Sequence, residues 1–119
     1  MSGRMLDDAK FLQQARRLEA AADRAYYAMF HAAEAAIALR GVEPGKTHSG
    51  VHSQFSEHLI KTGIVAKGYA AELDRGKKVR ESSTYGGATI ADSETVAHMI
   101  AFAEEFLARV GTLAREKKA

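Results

Sequence analysis

The stretch Arg24-Ala-Tyr-Tyr-Ala-Met-Phe-His-Ala-Ala-Glu34 constrains this chain more than any other. It is apolar on nearly every side, and a helix of that kind is a buried helix. Four residues break the pattern: Arg24, Tyr27, His31 and Glu34. Their spacings of three, four and three place them along one helical face. A polar seam on a buried helix must be satisfied by a second helix, a second subunit or a substrate.

The rest of the sequence is compatible with one helical domain over residues 1–119. Hydrophobic residues make up 46% of the chain, enough for a core. Alanine is abundant and β-branched residues are few, a composition that favours helix. A single Pro and no Cys exclude disulfides and cysteine-based metal or redox sites. The first ten residues carry no apolar run after a basic start, so no signal peptide is expected. No apolar run approaches the roughly 18 residues of a membrane span, and a cytoplasmic protein is expected. The net charge of +2 permits nucleic-acid binding without arguing for it, because clustered charge is the signature.

Hydrophobic periodicity predicts four helices. Phe11, Ala15, Leu18, Ala22, Ala25 and Met29 recur at helical spacing, and no Gly or Pro intervenes between Leu6 and Arg40. This predicts one long helix over 6–40, ended by Gly41. A helix so long would outrun a compact monomer and would need a partner to cover it. A second helix is expected over 47–61, with Thr47 or Ser49 as cap and a stripe of Val51, Phe55 and Leu59. A third covers 65–82, its inward face carrying Tyr69, Leu73, Gly76 and Arg80. A loop over 83–88 follows. The last helix spans 92–115, capped by Asp92 or Ser93, with Val96, Ile100, Ala103, Leu107 and Val110 in one stripe.

Three stretches carry a family likeness: the one from Arg24 to Glu34, then Lys46-Thr-His-Ser-Gly-Val51, then Arg80-Glu-Ser-Ser-Thr-Tyr-Gly86. From about residue 16 to 110 the chain resembles the HEPN superfamily, in particular its small standalone bacterial and archaeal members. The resemblance implies an all-α, up-down helical bundle that commonly dimerises. It also implies a setting beside a minimal nucleotidyltransferase, in toxin–antitoxin-like or stress systems. Many members are metal-independent ribonucleases, with an Arg followed by four to six residues and a His facing its copy across a dimer cleft. In this chain Arg80 is followed after four residues by Tyr85, not His. The family's turn before the Tyr-Tyr helix also has no visible counterpart.

The candidate sites each admit two readings. Arg80 and Tyr85 suit phosphate or RNA binding; alternatively Arg80 pairs with a carboxylate and Tyr85 fills the bundle end. Tyrosine is a poor proton acceptor at neutral pH, with an ordinary pKa near 10. Arg24 and His31 also fit the Arg-x6-His spacing, about 10 Å apart along the helix, and either bind a ligand with Tyr27 or belong to a seam that fixes a dimer or bundle. Lys46, Thr47 and His48 suit an anion site or an ordinary helix cap. Arg75, Lys77 and Lys78 form a nucleic-acid contact or a solvated face. His48 and His52 have metal-ligand spacing without a third ligand, so no metal is expected, and no cofactor motif is present.

Three functions follow from the sequence. The leading one is a dimeric HEPN-like binding module that engages a nucleotidyltransferase-type protein, RNA or both. The second is a toxin-type ribonuclease using Arg80 with a replacement for the missing His. The third is a helical dimer without nucleic-acid contact.

Overall fold

The computed structural model describes residues 2–84 and 91–118. It is an all-α bundle of five helices among the described residues: α1 (Ser2–Gln14), α2 (Leu18–Leu39), α3 (His48–Phe55), α4 (Gly68–Thr84) and α5 (Ser93–Lys118). A π-helical turn, Ser56–Ile60, continues α3.

The long helix expected over 6–40 is two helices. α1 ends in a Schellman motif: Arg17 N–H donates to Leu12 C=O (2.8 Å) and Arg16 N–H to Gln13 C=O (3.0 Å). This geometry requires a left-handed residue, and Arg16 takes it with φ of 59°. The sequence has no Gly or Pro there, so the usual stop signal is missing. Arg16 accepts the strain because α1, folded back on α2, buries Leu6 and Ala9. Gly41 ends α2 as expected, with φ of 77° and its N–H donating to Ala38 C=O.

α2 is the central helix. Its buried residues are Ala21, Ala22, Ala25, Tyr26, Ala28, Met29, Phe30, Ala32, Ala33, Ala36 and Ile37. The alanines let α1, α4 and α5 approach its axis closely, and the large side chains fill the spaces between. α5 contributes Val96, Met99, Ile100, Ala103 and Phe106 to this core. At a rise of about 1.5 Å per residue, its 26 residues set the 42 Å long axis of the molecule.

The short helix α3 starts where the sequence indicates. Thr47 Oγ1 accepts the Gly50 N–H at 3.0 Å, and Val51, Phe55 and Leu59 anchor the segment in the core. In the π turn Lys61 N–H reaches back to Ser56 C=O, which keeps Leu59 pointing inward. The polypeptide from 41 to 47 is held by Gln54, which accepts the Gly45 N–H (2.8 Å) and donates to Glu43 C=O (3.1 Å). Asp92 caps α5 by accepting the Thr95 N–H at 2.8 Å.

α4 crosses α2 at Gly76. A Cβ at this position would lie 2.9 Å from Met29 Cε and 3.3 Å from Tyr26 Cδ1. The glycine therefore permits the approach that brings Arg80, one turn further on, beside the Tyr26–Tyr27 pair.

Two substitutions test this account in urea unfolding. Gly76→Leu must displace Met29 and Tyr26, and it lowers stability by about 1–3 kcal/mol. Arg16→Gly relieves a left-handed non-glycine residue and raises stability by about 0.5–1 kcal/mol, net of glycine's larger unfolded-state entropy.

Candidate functional site

Three helices meet around the Tyr26–Tyr27 pair. α2 supplies Asp23, Tyr26, Tyr27, Phe30 and His31. α3 supplies His48 and His52, one turn apart on its inner face, and α4 supplies Arg80 with Lys77 behind it. Tyr26 is fully buried, and its hydroxyl lies 2.9 Å from His48 Nδ1 and 2.9 Å from His52 Nε2. A phenol has one proton, so it donates to one imidazole and accepts from the N–H of the other. Tyr27 Oη lies 3.5 Å from His48 Nε2. A line of four polar side chains therefore runs from His52 through Tyr26 and His48 to Tyr27.

Aromatic packing surrounds this line. The His48 ring stacks on Phe30, with centroids 4.4 Å apart and an interplanar angle of 23°. Tyr26 and Tyr27 meet edge to face at 5.5 Å. The Arg80 guanidinium carbon sits 5.3 Å from the Tyr27 ring centroid, a cation–π contact worth about 0.5–1 kcal/mol at a partly exposed site. Arg80 Nε donates to Asp23 Oδ1 at 3.0 Å. Arg24 holds the other oxygen of the same carboxylate at 2.8 Å.

The electrostatics favour neutral imidazoles. Burial pushes His48 below its ordinary pKa of 6.5, and the charges of Arg80 and Lys77 push it further down. Burial does the same to His52, followed by Lys77. Burial raises the Tyr26 phenol, with Tyr27 adding to the effect. An imidazole with a depressed native pKa leaves stability unchanged well above 6.5. Below 6.5 the unfolded chain takes protons more readily than the native one, so stability falls as pH drops.

The four residues of the predicted seam separate in the structure. Tyr27 and His31 remain neighbours, with ring centroids 6.0 Å apart, and His31 Nδ1 meets Glu34 Oε1 at 2.9 Å. Tyr27, His31 and Glu34 are half-buried, and Arg24 is exposed and turned towards Asp23. The seam is thus an open face of α2 in the single chain. The three residues Lys46, Thr47 and His48 also divide: Thr47 caps α3, His48 joins Tyr26, and Lys46 is exposed.

The basic cluster of α4 is closely matched by acids. Arg75 lies 3.7 Å from Glu72, Lys77 3.7 Å from Glu81, and Lys78 3.0 Å from Asp74. Arg80 has its carboxylate in Asp23. Tyr85, its sequence partner, lies outside the described residues. Among the described residues no group of three or more His, Asp or Glu is placed to hold a metal ion. His48 and His52, although at ligand spacing, converge on a phenol instead. No helix among the described residues is long and apolar enough to cross a membrane.

The sequence shows Tyr26 only as part of an apolar helix, and the partners of its hydroxyl emerge only in the structure. The available signal was the His48–His52 spacing, which needs a shared acceptor or donor as readily as it suits a metal. Asp23 was also missed. It stands beside Arg24 without any pattern of its own, and only α4 reveals its partner.

Known proteins extend this description. A family model described as the HEPN domain matches residues 1–116. A UPF0332 protein of Thermotoga maritima is 35% identical over 113 residues, covering 95% of this chain and 85% of the relative. A second UPF0332 protein, PH1297 of Pyrococcus horikoshii, is 39% identical over 72 residues, 60% of this chain and 50% of the relative. A Methanocaldococcus jannaschii protein named "Putative toxin MJ0605" is 30% identical over 112 residues, 93% of this chain and 81% of the relative. The comparison with solved structures gave no significant match for this chain. With the family's domain spanning nearly its whole length, on a helical bundle built around the Tyr-Tyr helix, the chain belongs to the HEPN domain family.

Proposed function

We propose that this chain is a binding module of a toxin-linked, cytoplasmic system, acting as a homodimer on a protein partner rather than cleaving RNA. The observation that carries this reading is the commitment of Arg80. Its guanidinium is held by Asp23 at 3.0 Å and covered by the Tyr27 ring. In that position it orders α4 against α2. Pairing with Asp23 partly neutralises its charge and so weakens its pull on a phosphate.

The surface argues the same way. A polyanion is bound by uncompensated cations, through release of counterions. On α4 each of Arg75, Lys77 and Lys78 lies within 4 Å of a carboxylate. A mosaic of both signs suits a protein surface of complementary pattern. The half-exposed aromatic face of Tyr27 and His31, rimmed by Arg24 and Glu34, has the composition of an interface centre and rim. This face suits a second copy of the chain. The adjoining α4 face suits the nucleotidyltransferase-type protein that the family resemblance implies. The relative named as a toxin supports the system, not the partner.

One observation favours a second reading. His48 lies against the same Tyr27 ring as Arg80, and a neutral imidazole is a competent base for a ribose 2′-hydroxyl. A ribonuclease built this way would use His48 in place of the absent histidine.

Incubation with single-stranded and structured RNA, without metal, separates the two. The binding reading expects no cleavage above background, with Arg80→Ala and His48→Gln indistinguishable from the parent. Cleavage abolished by either substitution overturns it in favour of the ribonuclease. Sedimentation at micromolar concentration is expected to give twice the 12.9 kDa chain mass. Tyr27→Ala shifts that species towards monomer by at least tenfold in dissociation constant, the effect of losing an aromatic anchor worth about 1.4 kcal/mol or more.

A further inference from the structure

We infer that Tyr26, His48 and His52 form a proton-operated latch that holds α3 on the bundle and releases it when both imidazoles carry a charge. The argument is a count of protons and lone pairs around one buried oxygen. With both imidazoles neutral, Tyr26 Oη donates one hydrogen bond and accepts one, both at 2.9 Å. With one imidazolium the pattern survives: the charged ring donates to Tyr26, and Tyr26 donates to the neutral ring. With two, both rings donate to the same oxygen. The phenol proton then faces no acceptor, in a side chain with no solvent exposure. A buried unpaired donor and two imidazolium charges converging on one oxygen together oppose the closed state.

The surroundings do not relieve this. Facing the pair are Tyr27 and Glu34 on α2, and Asp74, Lys77, Arg80 and Glu81 on α4. Asp74 is matched by Lys78 and Glu81 by Lys77, and Glu34 is hydrogen-bonded to His31. Arg80, paired with Asp23, and Lys77, paired with Glu81, offer an imidazolium no counter-charge. α3 is the shortest of the five helices among the described residues. It is eight residues long before its π turn and is joined to α2 by the connection over 41–47. Its release uncovers the Phe30 ring under His48 and opens the groove between α3 and α4. That groove has a volume of about 390 Å³ and is lined by Ser49, His52, Ser53, Asp74 and Lys77 among others. The latch works whether or not Arg80 ever meets RNA.

Amide hydrogen exchange on the intact protein, corrected for intrinsic rates, tests the latch between pH 7.5 and 5. Opening of α3 is expected to rise below pH 6.5 by up to tenfold per pH unit, the slope of the one proton that the open state takes up beyond the single imidazolium the closed state tolerates, while α5 changes little. In His52→Gln, whose amide can donate or accept but not titrate, α3 opening is expected to depend on pH far less steeply than in the parent, because His48 alone cannot leave the phenol proton unpaired. Equal steepness in His52→Gln and parent, or α3 and α5 opening in parallel, overturns the latch. Ring-nitrogen NMR of the unmodified protein gives a readout independent of any variant. Both histidines are expected to titrate below 6.5, the second with loss of the native α3 signals; two titrations at ordinary values with α3 undisturbed overturn it as well.

Discussion

A buried phenol hydroxyl must find partners within the fold, and in this protein the search for them joins three helices. Tyr26 lies in the middle of α2 among alanines that offer no polar atom. Its partners come from α3, at His48 and His52, which can reach it only if α3 lies across α2 at one height and one rotation. Val51, Phe55 and Leu59 supply the apolar area that holds α3 down. The two histidines supply its register. The Tyr26 ring, in turn, lies beside Gly76, so the approach of α4 depends on the same side chain.

The second tier of interactions is electrostatic and lies nearer the surface. Asp23 takes Arg24 on one oxygen and Arg80 on the other, binding α4 to the start of α2. Tyr27 covers Arg80 with its ring and approaches His48 with its hydroxyl. The interior pair and the surface pair thus share one residue. A change at Tyr27 is felt by both, which is why the aromatic face, the arginine and the imidazole line behave as one site. Apart from the buried Tyr26 and Phe30, the residues of this site are open where a ligand or subunit could reach them, and the fully buried Tyr26 anchors the rest.

Much of the fold is legible in the sequence. The caps at Thr47 and Asp92 are short-range events between residues three apart, and the sequence narrows each to two candidates. The stop at Gly41 is a local conformational preference and is equally visible. The break after Gln14 is not. Its left-handed residue is Arg16, and arginine adopts that conformation only because the hairpin of α1 on α2 compensates locally. The same limit explains the site. Arg80 was recognised as a charge on an inner face, but its partner Asp23 is 57 positions away. No pattern along the chain links the two.

The sequence by itself determined the helical class, the family, the central place of the Tyr-Tyr helix and the residue types gathered near it. These rest on periodicity, propensity and motif, which are properties of neighbouring residues. Tertiary structure alone decided that 6–40 is a hairpin, that the polar seam faces outward, and that each cation of α4 meets an acid. It also decided that two histidines at metal-ligand spacing converge on one phenol. Such outcomes depend on how helices far apart in sequence cross, and crossing is set by the packing of Gly76, the α2 alanines and the core side chains, which no single helix encodes.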